Sequence, residues 1–116
     1  MKAPLRGEVY MVDLGLAAKI RPCLVLSVPL EESDRSLVTV IPHTTALRKS
    51  RFEIPVSARF LRQGGFDAQG IVTVPTVRLM NRLGILEATV LMERLGIEQH
   101  QLLEGAYVDL LAHKGG

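Results

Sequence analysis

Two apolar runs separated by a polar loop constrain the fold more than any other part of this sequence. The first run is 21–27 and the second is 37–45, and the charged segment 31–35 lies between them. Runs of this length that are rich in β-branched residues and bounded by proline and polar residues are typical of β-strands. We therefore predict two paired strands joined by an exposed loop.

Each run has a polar side chain at one end. A proline restricts the residue before it to extended geometry, so Arg21, which precedes Pro22, is predicted at the first residue of its strand. At that position the N–H that Pro22 lacks costs no ladder hydrogen bond. Thr44 lies at the far end of the second run. In an antiparallel pair, the start of one strand lies beside the end of the other. The guanidinium and the hydroxyl are therefore predicted to meet at one rim, where they can hold a phosphate.

The other predicted elements make the protein mainly β, with one C-terminal helix and a single domain over residues 1–116. Further strands are predicted over 8–14, 52–56 and 70–74, with Pro55 placing its strand at an edge or an end. A turn of helix is predicted over 57–61 and a glycine-containing loop over 63–70. Segment 79–97 fits both a helix and a strand, and we favour a strand over 88–92. Apolar residues at helical spacing predict an amphipathic helix over 98–112 that packs on the sheet.

Composition favours one compact core and gives no sign of a bound cofactor. The chain has 116 residues, of which 47% are hydrophobic, and this is enough to build a core. The sole cysteine, Cys23, lies inside an apolar run and is predicted to be a small buried hydrophobe. One cysteine and three isolated histidines cannot supply a zinc site at recognised spacings. We expect no metal and no nucleotide cofactor.

The N-terminal segment lacks the apolar core of a signal peptide, and no apolar run approaches the length needed to span a membrane. We therefore expect a cytoplasmic protein that does not bind membranes.

The charge is unevenly distributed along the chain. Residues 1–82 hold twelve Lys and Arg against seven Asp and Glu, a net +5, whereas residues 83–116 hold two against five, a net −3. The basic part is rich in arginine, whose planar fork suits phosphate. A polyanionic partner is one interpretation, and basic surface loops that only contact solvent are the other.

Seven polar side chains near predicted strand ends are the candidates for a site. Four lie at the ends themselves, and three belong to the most basic segment, which follows Thr45: Arg21, His43, Thr44 and Arg78, then Arg48, Lys49 and Arg51. No Gly-x-Ser-x-Gly motif suggests a serine hydrolase. Taken singly, each of the seven could equally be an ordinary surface residue.

Three motifs in order resemble the MazF/PemK toxins of bacterial toxin-antitoxin systems. They are RGEVYMVDL at 6–14, KIRPCLVLS at 19–27 and VIPHTT at 40–45. The resemblance covers about the first 80 residues. It implies a small SH3-like β-barrel of the CcdB/MazF type with a C-terminal helix, and a homodimer. It also implies metal-independent cleavage of single-stranded RNA and inhibition by a cognate antitoxin, which we expect to be acidic and partly disordered.

The resemblance also assigns roles to particular residues. The arginine of the family's Arg-Pro motif falls on Arg21, and its threonine falls on Thr44, so these two are expected to stabilise the transition state. Many members carry Asp-Gln where this chain has Pro75-Thr76, so the usual candidate for proton transfer is missing. His43 is then the candidate base because of its pKa range, with Asp67 and Glu53 as further candidates. Arg78 and the basic segment 48–51 are expected to contact substrate.

Two other functions stay open at this point. One is a catalytically weak module that only binds RNA or antitoxin, and the missing carboxylate is consistent with it. A gyrase poison of the CcdB type would share the fold, but the Trp-Gly-Ile ending of that family is absent, and the chain has no tryptophan.

Overall fold

Seven antiparallel strands form the framework of the computed structural model, which describes residues 3–15 and 19–87. The strands, in chain order, are β1 (Glu8–Asp13), β2 (Ile20–Val25), β3 (Leu37–Thr44), β4 (Glu53–Val56), β5 (Gly64–Asp67), β6 (Val72–Pro75) and β7 (Leu79–Ile85). The prediction of a mainly β protein is confirmed. In the described ranges, no helix is long and apolar enough to cross a membrane.

Strand β3 is the centre of the sheet. Its neighbours run in the order β4-β5-β3-β2-β1-β7, and β6 also pairs with β3. The predicted antiparallel pairing of β2 with β3 is confirmed, because Cys23 is paired with Pro42 and Val25 with Val40. On its other edge, β3 pairs first with β6 over 37–40 and then with β5 over 43–44. Strand β3 therefore pairs with three other strands, β2, β5 and β6.

The central strands bury both of their faces, which explains why they appear in the sequence as continuous apolar runs. Alternate residues of β2 belong to two different core clusters: Leu24 packs with Ile41 and Phe66, whereas Cys23 packs with Val40. Side chains in a strand alternate between its faces, so a curled sheet with a core on each face needs apolar residues at every position. Cys23 is fully buried, as predicted. Its burial raises the pKa of the thiol to about 12.

Proline positions show where the ladder is interrupted. Strand β2 begins at Ile20, so Arg21 is its second residue and not its first, and the predicted strand start was one residue late. Pro22 is paired with Met11 of β1, while pairing with β3 begins only at Cys23. A residue without an N–H fits at this point because β2 has one neighbour there instead of two. Pro55 lies in the edge strand β4, as predicted.

The prediction of a glycine-containing loop over 63–70 is wrong for most of these residues. Residues Gly64–Asp67 form strand β5, and Ala68–Gly70 form a short 3-10 helix. A Cβ on Gly65 would lie 2.5 Å from the carbonyl oxygen of Ile54 in β4. The glycines therefore allow β4 and β5 to pack closely and do not form a loop. This packing joins segments that are distant in sequence, and local sequence does not show it.

The remaining predictions concern the second half of the chain. Residues 57–61 contain a turn and no helix. Within the ambiguous segment 79–97, the structure has strand β7 at Leu79–Ile85, which pairs with β1. The predicted strand over 88–92 and the predicted helix over 98–112 lie outside the described residues.

Candidate active site

The predicted convergence of Arg21 and Thr44 has its structural basis in the register of β2 and β3. The observed pairs run from Val25 with Val40 to Cys23 with Pro42. Continued by two residues, this register places Arg21 opposite Thr44. Both residues line one open cavity of about 640 Å³, which we call the rim cavity; its lining comprises Leu14, Arg21, Pro42, His43, Thr44, Ala46, Arg48, Ser50, Glu53, Asp67, Gln69, Gly70 and Val72.

Arg21 is half-buried, and within residues 3–15 and 19–87 its side chain has no hydrogen bond or ion pair. Its charge nevertheless acts on its neighbours: it adds to the effect of burial in lowering the pKa of His43, and it opposes the rise that burial causes in the pKa of Cys23. A partly desolvated guanidinium whose donors have no partner among the described residues is suited to binding an anion through two parallel N–H bonds. The rim cavity is therefore lined by a partly desolvated cation.

Thr44 is held so that its hydroxyl proton stays available. The backbone N–H of Ala46 donates to Oγ1 of Thr44 at 3.1 Å. This bond uses the hydroxyl as an acceptor, so its O–H can still donate to a ligand. Strand β5 fixes the position from behind, because a Cβ on Gly64 would overlap the carbonyl oxygen of Thr44 and lie 3.0 Å from Cε1 of His43. Only glycine allows this approach.

His43 is a buried residue between the rim and the core. The residue is 3% exposed, and its ring meets that of Phe66 edge to face at 5.4 Å between centroids. Burial, and then the charge of Arg21, lowers the pKa of His43, so its imidazole is neutral at physiological pH. Its Nε2 atom is buried and has no hydrogen-bond partner among the described residues.

The predicted substrate-binding cations do not all meet at the rim cavity. Arg48 lines it, but Lys49 and Arg51 are not part of its lining, and the guanidinium of Arg51 lies 4.7 Å above the ring centre of Phe52. Arg78 donates to Asp13 at 3.4 Å in a half-exposed ion pair, away from the cavity lining. The structure therefore groups Arg48, and not Arg78, with the two strand-end residues.

Among the described residues, two carboxylates line the rim cavity, and they differ in their hydrogen bonds. Glu53 accepts backbone N–H bonds from Arg48 at 2.9 Å and from Ser50 at 2.8 Å, and these bonds lower the pKa of its carboxyl. It holds the basic segment in place. Asp67 accepts from the backbone N–H of Gln69 through Oδ1, and its Oδ2 has no hydrogen bond among the described residues.

Gln69 was missed as a lining residue by sequence analysis. The spacing of Asp67 and Gln69 is that of an Asx turn, which could have indicated an ordered turn in place of a loop. No group of three or more His, Cys, Asp or Glu side chains that could hold a metal ion is present in the part of the chain that the structure describes.

Comparison with known proteins gives a consistent picture. A mycobacterial endoribonuclease in complex with its cognate antitoxin is 26% identical, with a TM-score of 0.63, and the match covers 90% of this chain and 95% of that chain. Mycobacterium tuberculosis toxin MazF-mt6 is 28% identical, with a TM-score of 0.59 and coverage of 85% and 90%. The MazE-MazF complex of Deinococcus radiodurans shares the fold, with a TM-score of 0.66 at 23% identity, over 90% of this chain and 98% of that chain.

No curated protein matches the sequence significantly. The family model for the PemK-like, MazF-like toxin of type II toxin-antitoxin systems matches residues 5–95. This match spans most of the chain and includes Arg21, Thr44 and all seven strands. The chain therefore belongs to the PemK-like, MazF-like toxins.

Proposed function

We propose that this toxin is an endoribonuclease that cleaves single-stranded RNA at the rim cavity. The observation that carries the proposal is that the half-buried guanidinium of Arg21, which has no partner among the described residues, lies in the same cavity as the Thr44 hydroxyl, whose O–H is left free to donate by the bond it accepts from Ala46. Endoribonucleases among the relatives at 26–28% identity support the same reaction class.

The proposed reaction uses the ribose 2′-hydroxyl next to the scissile phosphate. Its oxygen attacks phosphorus, the bond from phosphorus to the 5′-oxygen breaks, and the products carry a 2′,3′-cyclic phosphate and a 5′-hydroxyl. The pentacoordinate intermediate has two negative charges. Preorganised donors aimed at developing charge are often the largest single catalytic contribution. Arg21 supplies two parallel N–H bonds to this charge, and Thr44 supplies one O–H bond.

For the proton of the 2′-hydroxyl, we infer Asp67 as the acceptor. Asp67 lines the cavity and its Oδ2 has no hydrogen bond among the described residues, whereas Glu53 is engaged by backbone N–H groups. Solvent water protonates the departing 5′-oxygen. His43 stays a prediction from sequence, and its burial against Phe66 supports a positioning role behind Thr44.

We also infer a homodimer and a cognate antitoxin as partners, with residues 98–112 forming the predicted C-terminal helix of an SH3-like single domain. Two solved relatives are complexes of a toxin with its antitoxin. Exposed apolar residues such as Val77 and Met80 provide surface for such contacts.

The test is incubation of the purified protein with a long single-stranded RNA in EDTA, followed by analysis of the product ends. We expect cleavage with cyclic phosphate ends, and survival of a substrate that has 2′-deoxyribose at the scissile position. RNA that is retarded but never cut would favour the alternative of a binding module, which the residues Pro75-Thr76 support. Cleavage of the deoxy-substituted substrate would contradict the 2′-hydroxyl mechanism.

A further inference from the structure

A second cavity, of about 680 Å³, shares two wall residues with the rim cavity. Arg21 and His43 line both, and the second cavity is further lined by residues that include Lys19, Pro22, Phe60 and Arg62. We call it the Phe60 groove. Ligand sites commonly have volumes of roughly 300–1,000 Å³, so either cavity has room for part of a nucleotide. A phosphate bound to Arg21 would lie at the boundary between the two cavities.

Phe60 is fixed in place by strand β7. Its ring packs so closely on Gly84 that a Cβ at that position would overlap ring atoms. The side chain is half-buried against the core cluster of Leu24 and Phe66. A rigid aromatic ring with part of its surface in an open groove is a stacking platform, and single-stranded nucleic acids are bound in this way with little dependence on sequence.

The charge of the groove matches a nucleic acid backbone. Lys19, Arg21 and Arg62 are among its lining residues, and no Asp or Glu belongs to the lining in the part of the chain that the structure describes. Lys19 has a positive φ of 64°, and its carbonyl accepts from the backbone N–H of Leu14, which holds the start of β2 in place. Three cations beside an aromatic ring favour an anionic ligand that also carries a planar ring.

We infer that the Phe60 groove is a nucleotide subsite of the enzyme. The base next to the scissile phosphate stacks on Phe60, and Arg62 and Lys19 contact the neighbouring phosphate. RNA therefore crosses the rim, with one flanking nucleotide in each cavity. The inference rests on the proposed function, since it takes Arg21 to hold the scissile phosphate.

The test uses a probe that cannot be cleaved, a fluorescent 2′-O-methyl RNA heptamer of mixed sequence, and measures its affinity by anisotropy at several salt concentrations. Phe60→Leu should weaken binding about 5-fold or more, because base stacking on an aromatic side chain is lost. Phe60→Tyr keeps a ring and should bind as the wild type does. Arg62→Gln should weaken binding and lower the salt slope by about 1, because one phosphate contact is lost.

Arg59→Gln is the matched control, because Arg59 is exposed three residues before Arg62 and does not belong to the lining of the groove. It should leave affinity unchanged. The inference would be overturned if the Phe60→Leu and Arg62→Gln proteins fold and bind the heptamer as tightly as the wild type does. It would also be overturned if these variants lose binding to the antitoxin but keep their binding to RNA. A wild-type protein that binds RNA but does not cut it would contradict the proposed function. The anisotropy measurements would still test the groove in that case, because the heptamer cannot be cleaved.

Discussion

Replacing Arg21 with alanine tests the catalytic site most directly. Among the described residues the side chain has no hydrogen bond or ion pair to lose. Folding stability should therefore change by no more than about 0.5 kcal/mol, as for most substitutions away from core contacts. The full effect should fall on the reaction. Removal of one preorganised transition-state donor costs about 3–4 kcal/mol, which corresponds to roughly 100- to 1,000-fold in rate.

Two further measurements separate this role from a general effect of charge. Arg21→Lys should recover little activity, since a point charge cannot form the two parallel N–H bonds of a guanidinium. The pKa of His43 should rise in Arg21→Ala, because the nearby positive charge that lowers it is gone. An NMR titration of the imidazole measures this rise, and it shows whether the guanidinium lies where the structure places it.

The assay is the initial rate of cleavage of a long single-stranded RNA in EDTA, beside thermal melting of each variant. Arg35→Ala is the control, because Arg35 is an exposed loop residue that lines neither cavity. A near wild-type rate for Arg21→Ala with an unchanged melting temperature would refute the proposed site. Arg21 would then be an ordinary surface cation, worth about 0–1 kcal/mol in an ion pair.

Three other predictions follow from the same geometry. Thr44→Val should slow cleavage by about 3- to 10-fold with little loss of stability, because one neutral hydrogen bond is removed; a larger loss than that of Arg21→Ala would reverse the assigned roles. Gly64→Ala should lower the melting temperature and reduce the rate, because the added Cβ meets the carbonyl oxygen of Thr44, at a cost of about 1–3 kcal/mol for overpacking. The pKa of His43 is lowered in the folded state, so its contribution to stability is complete above the unfolded value of 6.5 and is lost as the pH falls from there through the folded pKa. His43→Leu should flatten that part of the profile of melting temperature against pH, and an unchanged profile would contradict the buried neutral imidazole.

Local sequence was sufficient to predict the strands that are marked by their own apolar run and its bounding residues. β1, β2, β3, β4 and β6 were all predicted near their observed bounds, since their apolar runs end at proline, glycine or charge. The meeting of Arg21 with Thr44 also followed from sequence, because antiparallel pairing of two known runs fixes which ends are neighbours. Cys23 was correctly predicted as a buried hydrophobe from the run that contains it.

Only the tertiary structure decided the features that depend on contacts between distant segments. Gly64 and Gly65 belong to a strand because β3 and β4 approach them closely, and no local pattern shows that approach. The low pKa of His43 comes from its burial against Phe66 and from the charge of Arg21, which lies 22 residues away in sequence. The Phe60 groove exists because Gly84 of β7 receives the ring of Phe60. Propensity acts over a few residues, whereas burial and electrostatic environment are set by the whole fold.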